Sequence, residues 1–341
     1  MNIKRIGLDL AKQVFQLHGV DHQEKTVLRK QLRRNQMLAY FANLPPCLIG
    51  IEACSSAHYW ARELQKFGHT VKLMAPQFVK AYVKGNKNDA NDAEAICEAV
   101  GRPNMRFVAI KSIEQQDIQF THRIRSQLVK QRTEKVNQIR GFLAEYGLTV
   151  GRCIEKLRKA LPLLLEDAEN GLSFEFRRLL QELQQDLITL DKRVSEMDKK
   201  IHVLASSNAA AKRLQQIPGI GPITATALVC ALGDGKQFKR GRDLAAWLGL
   251  TPKQHSSGGK ECLLGISKRG DTYLRTLLIH GARAVLRVAA KKEDPRSRWL
   301  QNLCSRRNKN IAAVALANKN ARIVWALLTK ETDFLPEGKP A

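Results

Sequence analysis

The sequence predicts a chain of mixed class, α/β over its first third and all-α beyond it. Three observations carry this. Short β-branched runs alternate with helical periodicity over residues 1–110. A four-three apolar stripe then runs unbroken from Phe176 to Leu204. After residue 206 the pattern stays helical and is broken by the Gly-rich turn Pro218-Gly219-Ile220-Gly221. The division that follows is 1–110, 111–206 and 207–341, and a 341-residue chain is long enough for two or three domains.

Lys4–Leu10, Val14–Val20 and Thr26–Gln31 read as three consecutive strands separated by short polar turns. Asn35–Leu44 reads as a helix, Cys47–Ala53 as a strand, His58–Phe67 as a helix and Thr70–Ala75 as a strand, with helices from Gln77 onward. Three antiparallel strands followed by alternating helices and strands is the order of a ribonuclease-H-like sheet. The sugar-kinase and actin ATPases begin similarly, so topology leaves the chemistry open. Ser112–Leu148 carries Ile124, Leu128, Val136, Ile139, Leu143 and Tyr146 at three-and-four spacing. Phe176, Leu180, Leu183, Leu187, Leu190, Val194, Met197, Ile201 and Leu204 form a coiled-coil seam. Two long helices packed within one chain would satisfy it, and so would a dimer contact. Further helices are expected at Gly241–Leu248, Tyr273–Val288, Pro295–Leu303 and Ile311–Leu328. The tail with Pro336, Gly338 and Pro340 reads as frayed.

Composition narrows the partner. The chain holds 57 Lys+Arg against 32 Asp+Glu, a net charge of +25, which suits a polyanion; a membrane-surface protein or simple solubility would also account for a basic surface. A hydrophobic fraction of 44% excludes global disorder. No segment resembles a signal peptide, and apolar runs such as Ile311–Ala317 are far short of a membrane span. Seven scattered cysteines form neither a disulfide framework nor a zinc site, which implies a reducing cytoplasm.

Against that basic background four acids stand out. Asp9 lies in the apolar stretch Ile6-Gly7-Leu8-Asp9-Leu10, and Glu52 ends Cys47-Leu48-Ile49-Gly50-Ile51-Glu52. Asp89 and Asp92 are three apart at the start of a helix, where their side chains are neighbours. Acids in a first helical turn also complement the helix dipole, and Asp9 and Glu52 taken singly suit a strand edge or a loop. The conjunction of all four in ribonuclease-H-like order points instead to a hard divalent cation, because burying unpaired carboxylates is costly. A pair of such ions can activate an attacking oxygen and stabilise a leaving one. Metal-assisted phosphodiester chemistry on nucleic acid is the class these residues imply.

Pro218-Gly219-Ile220-Gly221 matches a helix-hairpin-helix, whose second helix can bind phosphate through its first amides, with Gly219 and Gly221 making the turn. An ordinary αα-hairpin has the same outline. Ser256-Ser257-Gly258-Gly259 reads as a loop of turn residues, with His255 beside it. Ser267-Lys268-Arg269-Gly270-Asp271, then Arg275, Arg296, Arg298, Arg306 and Arg307, supply charge for phosphates or a solvated basic face.

Read together, Gly7-Leu8-Asp9, Ile51-Glu52-Ala53, Asn88-Asp89-Ala90-Asn91-Asp92-Ala93, Ile217-Pro218-Gly219-Ile220-Gly221, Gly249-Leu250-Thr251-Pro252 and Ser267-Lys268-Arg269-Gly270 resemble the DEDD-type insertion-sequence transposases of family one hundred and ten. The resemblance covers essentially the whole chain. It implies a RuvC-like, ribonuclease-H-fold N-terminal domain, a coiled-coil connector and a C-terminal transposase domain. The family's acidic tetrad falls on Asp9, Glu52, Asp89 and Asp92. Its nucleophilic serine, five residues after the proline of Gly-Leu-Thr-Pro, falls on Ser257, with Ser256 directly before it. The resemblance further implies guidance by a structured bridge RNA that pairs with donor and target DNA. It also implies a composite site shared between subunits of a dimer that pairs into a tetramer.

The expectation is therefore a recombinase that moves an insertion sequence, using Mg²⁺ or Mn²⁺ and a phosphoserine link to DNA. Its rivals are a Holliday-junction-resolvase-like nuclease that needs no serine and a nucleic-acid-binding protein without chemistry. A sugar-kinase-like ATPase fits least, since no Gly-rich phosphate loop accompanies the strands.

Overall fold

A computed structural model describes residues 2–86 and 88–335, so the tail with Pro336, Gly338 and Pro340 lies outside the described residues. The chain separates into two compact units, Met1–Ser112 and Ile113–Ala341.

The first unit runs β1 (Arg5–Leu10), β2 (Val14–Val20), β3 (Thr26–Arg33), α1 (Met37–Ala42), β4 (Leu48–Glu52), α2 (Ala57–Lys66), β5 (Thr70–Met74), α3 (Pro76–Val79), α4 (Asp89–Val100) and β6 (Phe107–Val108). They form one six-stranded sheet in the order β3-β2-β1-β4-β5-β6. β1, β2 and β3 pair antiparallel, β1, β4 and β5 pair parallel, and β6 closes the far edge antiparallel to β5. This is the strand order expected of a ribonuclease-H-like sheet. β6, only two residues long, carries no period for a sequence to reveal.

Alternation along the strands decides what each face holds. Ile6, Leu8, Phe15, Leu17, Ile49 and Ile51 are buried on one face with Met37 and Phe41 of α1 and Trp60, Ala61 and Leu64 of α2. The opposite face receives α4, whose Ala95, Ile96, Ala99 and Val100 are buried with Met74 and Val79. Glycine makes that approach possible. Gly7 and Gly50 sit directly opposite each other in the β1/β4 register. A Cβ on Gly7 would lie 2.1 Å from Ala93 O and 2.3 Å from Cys97 N, and one on Gly50 would lie 2.7 Å from Val100 Cβ. The helix therefore lies across two bare positions of the central strands.

The second unit runs α5 (Ile113–Glu145), α6 (Ile154–Glu166), α7 (Phe174–Ser207), α8 (Ala209–Gln215), α9 (Pro222–Leu232), α10 (Gly241–Trp247), β7 (Pro252–Gln254), β8 (Leu263–Ile266), α11 (Thr272–Ala289), α12 (Pro295–Arg306) and α13 (Lys309–Lys330). α5 and α7 run antiparallel, tied by Arg125–Asp198, Arg132–Asp191 and Lys135–Asp186. Leu180, Leu187, Val194 and Ile201 of the seven-residue stripe are buried. Leu180 and Leu187 share one buried cluster with Val136, Ile139 and Leu143 of α5 and Leu157 and Leu161 of α6, so helices of the same chain cover these two positions. A buried hydrogen-bonded pin joins α5 to the helices after it. Thr226 Oγ1 donates to Pro222 O, so it accepts from His122 Nε2 (2.9 Å), leaving His122 Nδ1 to accept from Tyr273 OH (3.0 Å). Burial holds His122 neutral by lowering its pKa to about 4.

α13 is long and apolar enough to cross a membrane by length and composition, a reach that its short apolar runs did not show. It is a core helix: Leu316, Ala317, Ala321 and Val324 are fully buried, and Asn320 donates to Pro218 O. All seven cysteines are free thiols.

Candidate active site

The four acids arrive from three elements at one end of the sheet. Asp9 lies two residues beyond Gly7 and Glu52 two beyond Gly50, so both share the face on which α4 lies. They sit toward the C-terminal ends of β1 and β4, and both are half-buried. Open α/β sheets place ligands at such carboxyl ends. Asp89 and Asp92 occupy the first turn of α4, exposed and half-buried respectively. Asn88 starts that turn by accepting from Asn91 N (2.8 Å). Because Ala93 and Cys97 rest on Gly7, the turn before them is carried to the end of β1 where Asp9 stands.

The electrostatics agree with that placement. The Asp9 carboxyl is raised from 3.8 to about 6, first by burial and then by the charges of Asp89, Asp92 and Glu52. Among the described residues, however, no three His, Cys, Asp or Glu side chains close into a ready cage. The four carboxylates nonetheless share a neighbourhood, since Asp89, Asp92 and Glu52 all act on Asp9. A site made wholly of carboxylates fits a hard, oxygen-preferring divalent cation such as Mg²⁺ or Mn²⁺, and its charge would relieve the strain on Asp9.

Ser257 belongs to the second unit and lies in a β-hairpin rather than the expected loop. β7 and β8 pair antiparallel, and Ser257 bridges to Lys260 across Gly258 and Gly259, both at positive φ (+56° and +78°). Two successive positive-φ residues make the tight turn that matches strand twist, and glycine takes it at no steric cost. The two serines differ. Ser256 Oγ accepts from Cys262 N (3.2 Å) and Gln254 Nε2 (3.1 Å), bracing the strands. Ser257, exposed at the tip, has no side-chain hydrogen bond among the described residues.

Other expected site residues have diverse surroundings. Gly221 is exposed and opens α9, whereas Gly219 packs against α11: its Cβ would lie 2.8 Å from Gly281 O. Lys268 and Arg269 are exposed, and Lys268 takes a left-handed backbone (φ +54°) where its N–H donates to Gly249 O. Arg275 corrects the expectation that it offers charge to phosphate. It is 8% exposed and donates to Leu248 O, Arg269 O and Thr272 Oγ1. Its guanidinium braces the chain flanking the hairpin. Arg296 is likewise buried, while Arg298, Arg306 and Arg307 face solvent. Gly7 and Gly50 were not singled out from sequence, although glycine inside a strand is a signal of close backbone approach.

Comparison with known proteins adds a common context. Residues 211–298 match the family described as Transposase IS116/IS110/IS902, and residues 6–148 match the DEDD transposase family of IS110 type. A probable family 20 transposase of Pseudomonas aeruginosa is 56% identical over 340 residues, covering 98% of this chain and 100% of the relative. The transposase for insertion sequence element IS1111A of Coxiella burnetii is 47% identical, covering 98% and 92%. The transposase for element IS1328 of Yersinia enterocolitica is 41% identical, covering 98% and 99%.

Proposed function

This chain belongs to the IS110-type family of DEDD transposases, and from that premise we propose that it cuts and rejoins DNA with a metal-bearing acidic site and a serine nucleophile. The observation that carries the reading is the Asp9 carboxyl, raised to about 6 by burial and by Asp89, Asp92 and Glu52. A fold tolerates such an assembly of acids where a cation is to be held. Asp9, Glu52, Asp89 and Asp92 would hold Mg²⁺ or Mn²⁺, which supplies positive charge to a scissile phosphate and promotes loss of a proton from an attacking hydroxyl.

Ser257 is the proposed nucleophile. Its hydroxyl stands free at the hairpin tip, whereas that of Ser256 is engaged. Attack forms an Oγ–P bond as one P–O bond of the DNA strand breaks. The serine proton leaves to a base, and the departing sugar oxygen is protonated. Because the phosphodiester is exchanged and not hydrolysed, rejoining by a sugar hydroxyl needs no nucleotide triphosphate. A resolvase-like nuclease would have no use for this serine. We further propose a coiled-coil role for the α5–α7 pair in dimer assembly, paired dimers in the tetrameric working form, and a phosphate-binding helix-hairpin-helix at α8–α9. A structured bridge RNA would supply sequence choice, in keeping with the net charge of +25.

The metal half is tested by Asp89→Asn/Asp92→Asn. The double variant should retain its fold and DNA binding, but strand cleavage should fall by at least about a thousandfold. Wild-type cleavage by this variant would remove the acids from the chemistry.

A further inference from the structure

We infer that the outer strands of the first unit carry a track for the DNA strand being cut, running from Asp9 through Gln16 and Gln31 to Arg33 on the open edge of the sheet. The inference rests on the DNA-cutting function proposed above. The register builds the track: Asp9 is opposite Gln16 in the β1/β2 pair, and Gln16 is opposite Gln31 in the β2/β3 pair. Directly opposed residues on antiparallel strands point to the same face, so both amides share Asp9's face, with Arg29 and Arg33 flanking Gln31 on β3. Two strand spacings carry this row about 10 Å from β1.

α4 leaves that end of the face open. Glu94, two residues beyond Asp92 on α4, reaches His18 (3.9 Å) and Arg29 (3.7 Å), so the helix covers the row through His18 and Arg29. The row through Asp9, Gln16 and Gln31 lies two residues further along each strand. Gln16 is half-buried, while Gln31 and Arg33 are exposed. Lys12, in the β1–β2 turn, adds exposed charge at the same end, whereas Arg34, whose guanidinium lies 5.2 Å from the Trp60 ring centre, belongs to the α1–α2 side and not to the track. Residues 25–36 contain Lys25, Arg29, Lys30, Arg33 and Arg34 and no acid.

Charged residues on an edge strand also block edge-to-edge association. That role requires charge on the edge without regard to face. It does not account for a polar row continuing inward to the end of the sheet where Asp9, Glu52, Asp89 and Asp92 gather. The row offers neutral amides next to the acids and cations farther out, a gradient suited to a phosphodiester chain whose cut phosphate sits at Asp9. The occupant is DNA because the strand at the acids is the one that is cut.

Arg33→Gln and Lys30→Gln, on opposite faces of the same strand, separate the track from a charged edge. Lys30 lies 5.0 Å from the Tyr40 ring centre on the α1 side. The probe is a fluorescein-labelled single-stranded DNA oligonucleotide, titrated onto full-length protein with Mg²⁺ at several salt concentrations. Arg33→Gln should weaken binding roughly tenfold and reduce the slope of log K against log salt by about 0.7, one phosphate contact. Arg33→Lys should restore the slope, and Lys30→Gln should match wild type. Thermal unfolding of each variant checks that the fold is kept. Equal losses in Lys30→Gln and Arg33→Gln would overturn the track in favour of general edge charge. An unchanged slope in Arg33→Gln, or loss of copurifying RNA in place of DNA affinity, would overturn it too. Failure of wild-type protein to cleave DNA would refute the proposed function instead, a separate result.

Discussion

Asp9 shows how far a single residue can be read from sequence. A carboxylate set among Ile6, Leu8 and Leu10 is conspicuous because its neighbours specify a buried strand. What the sequence does not show is which acids meet it, since that depends on register and helix docking. The structure adds the cost: a carboxyl raised from 3.8 to about 6. Above about pH 6 the ionised form weighs on the folded state, and below about pH 4 the group is protonated whether folded or not, so the penalty vanishes. Without divalent ions, Asp9→Asn should therefore melt above wild type at about pH 8 and match it at about pH 4. Mg²⁺ should raise the wild-type midpoint and leave the variant's unchanged. A variant less stable than wild type at alkaline pH would show that Asp9 is not strained. Spacing within the family resemblance proposes Ser257, and the physical difference between Ser256 and Ser257 lies in the hairpin's hydrogen bonds, which a sequence does not display.

At the scale of elements, strands and long helices were legible because period and turn chemistry are local. β2 begins and ends where its alternation does, and the α7 stripe is buried at seven-residue intervals. Elements made by contact were not legible. The two-residue β6 exists only as a partner for β5, and the β7–β8 hairpin hid behind a Ser-Gly run that reads as flexible. α6 escaped notice between the two longer helices, although Leu157 and Leu161 are buried beside them. Arg275 misled because charge is visible in sequence and carbonyl acceptors from distant segments are not. Gly7 is the element-scale test of the site. Alanine there would press its methyl on backbone atoms of α4 at 2.1 and 2.3 Å, which cannot rotate away. Gly7→Ala should cost about 1–3 kcal/mol or more. It should also lower cleavage beyond what the loss of folded protein explains, because Asp89 and Asp92 ride on that helix. Thermal melts paired with cleavage rates per folded molecule measure both. Unimpaired cleavage would mean that α4 need not lie on Gly7.

The whole molecule sets a small acidic site within a strongly basic chain, in a family of transposases. The net charge of +25 suits a polyanion much longer than a scissile dinucleotide, and the proposed guide RNA answers that need. RNase-treated protein freed of RNA should lose recombination on its natural DNA ends and regain it when the transcript is returned. Efficient recombination without RNA would dismiss the guide. The serine claim is reached most directly by covalent capture. Wild-type protein is allowed to react with labelled DNA, denatured, digested, and the DNA-bearing peptide sequenced. The account predicts DNA attached at Ser257, a labelled adduct lost in Ser257→Ala and largely retained in Ser256→Ala. DNA attached at Ser256, or normal strand cleavage by Ser257→Ala, would contradict it.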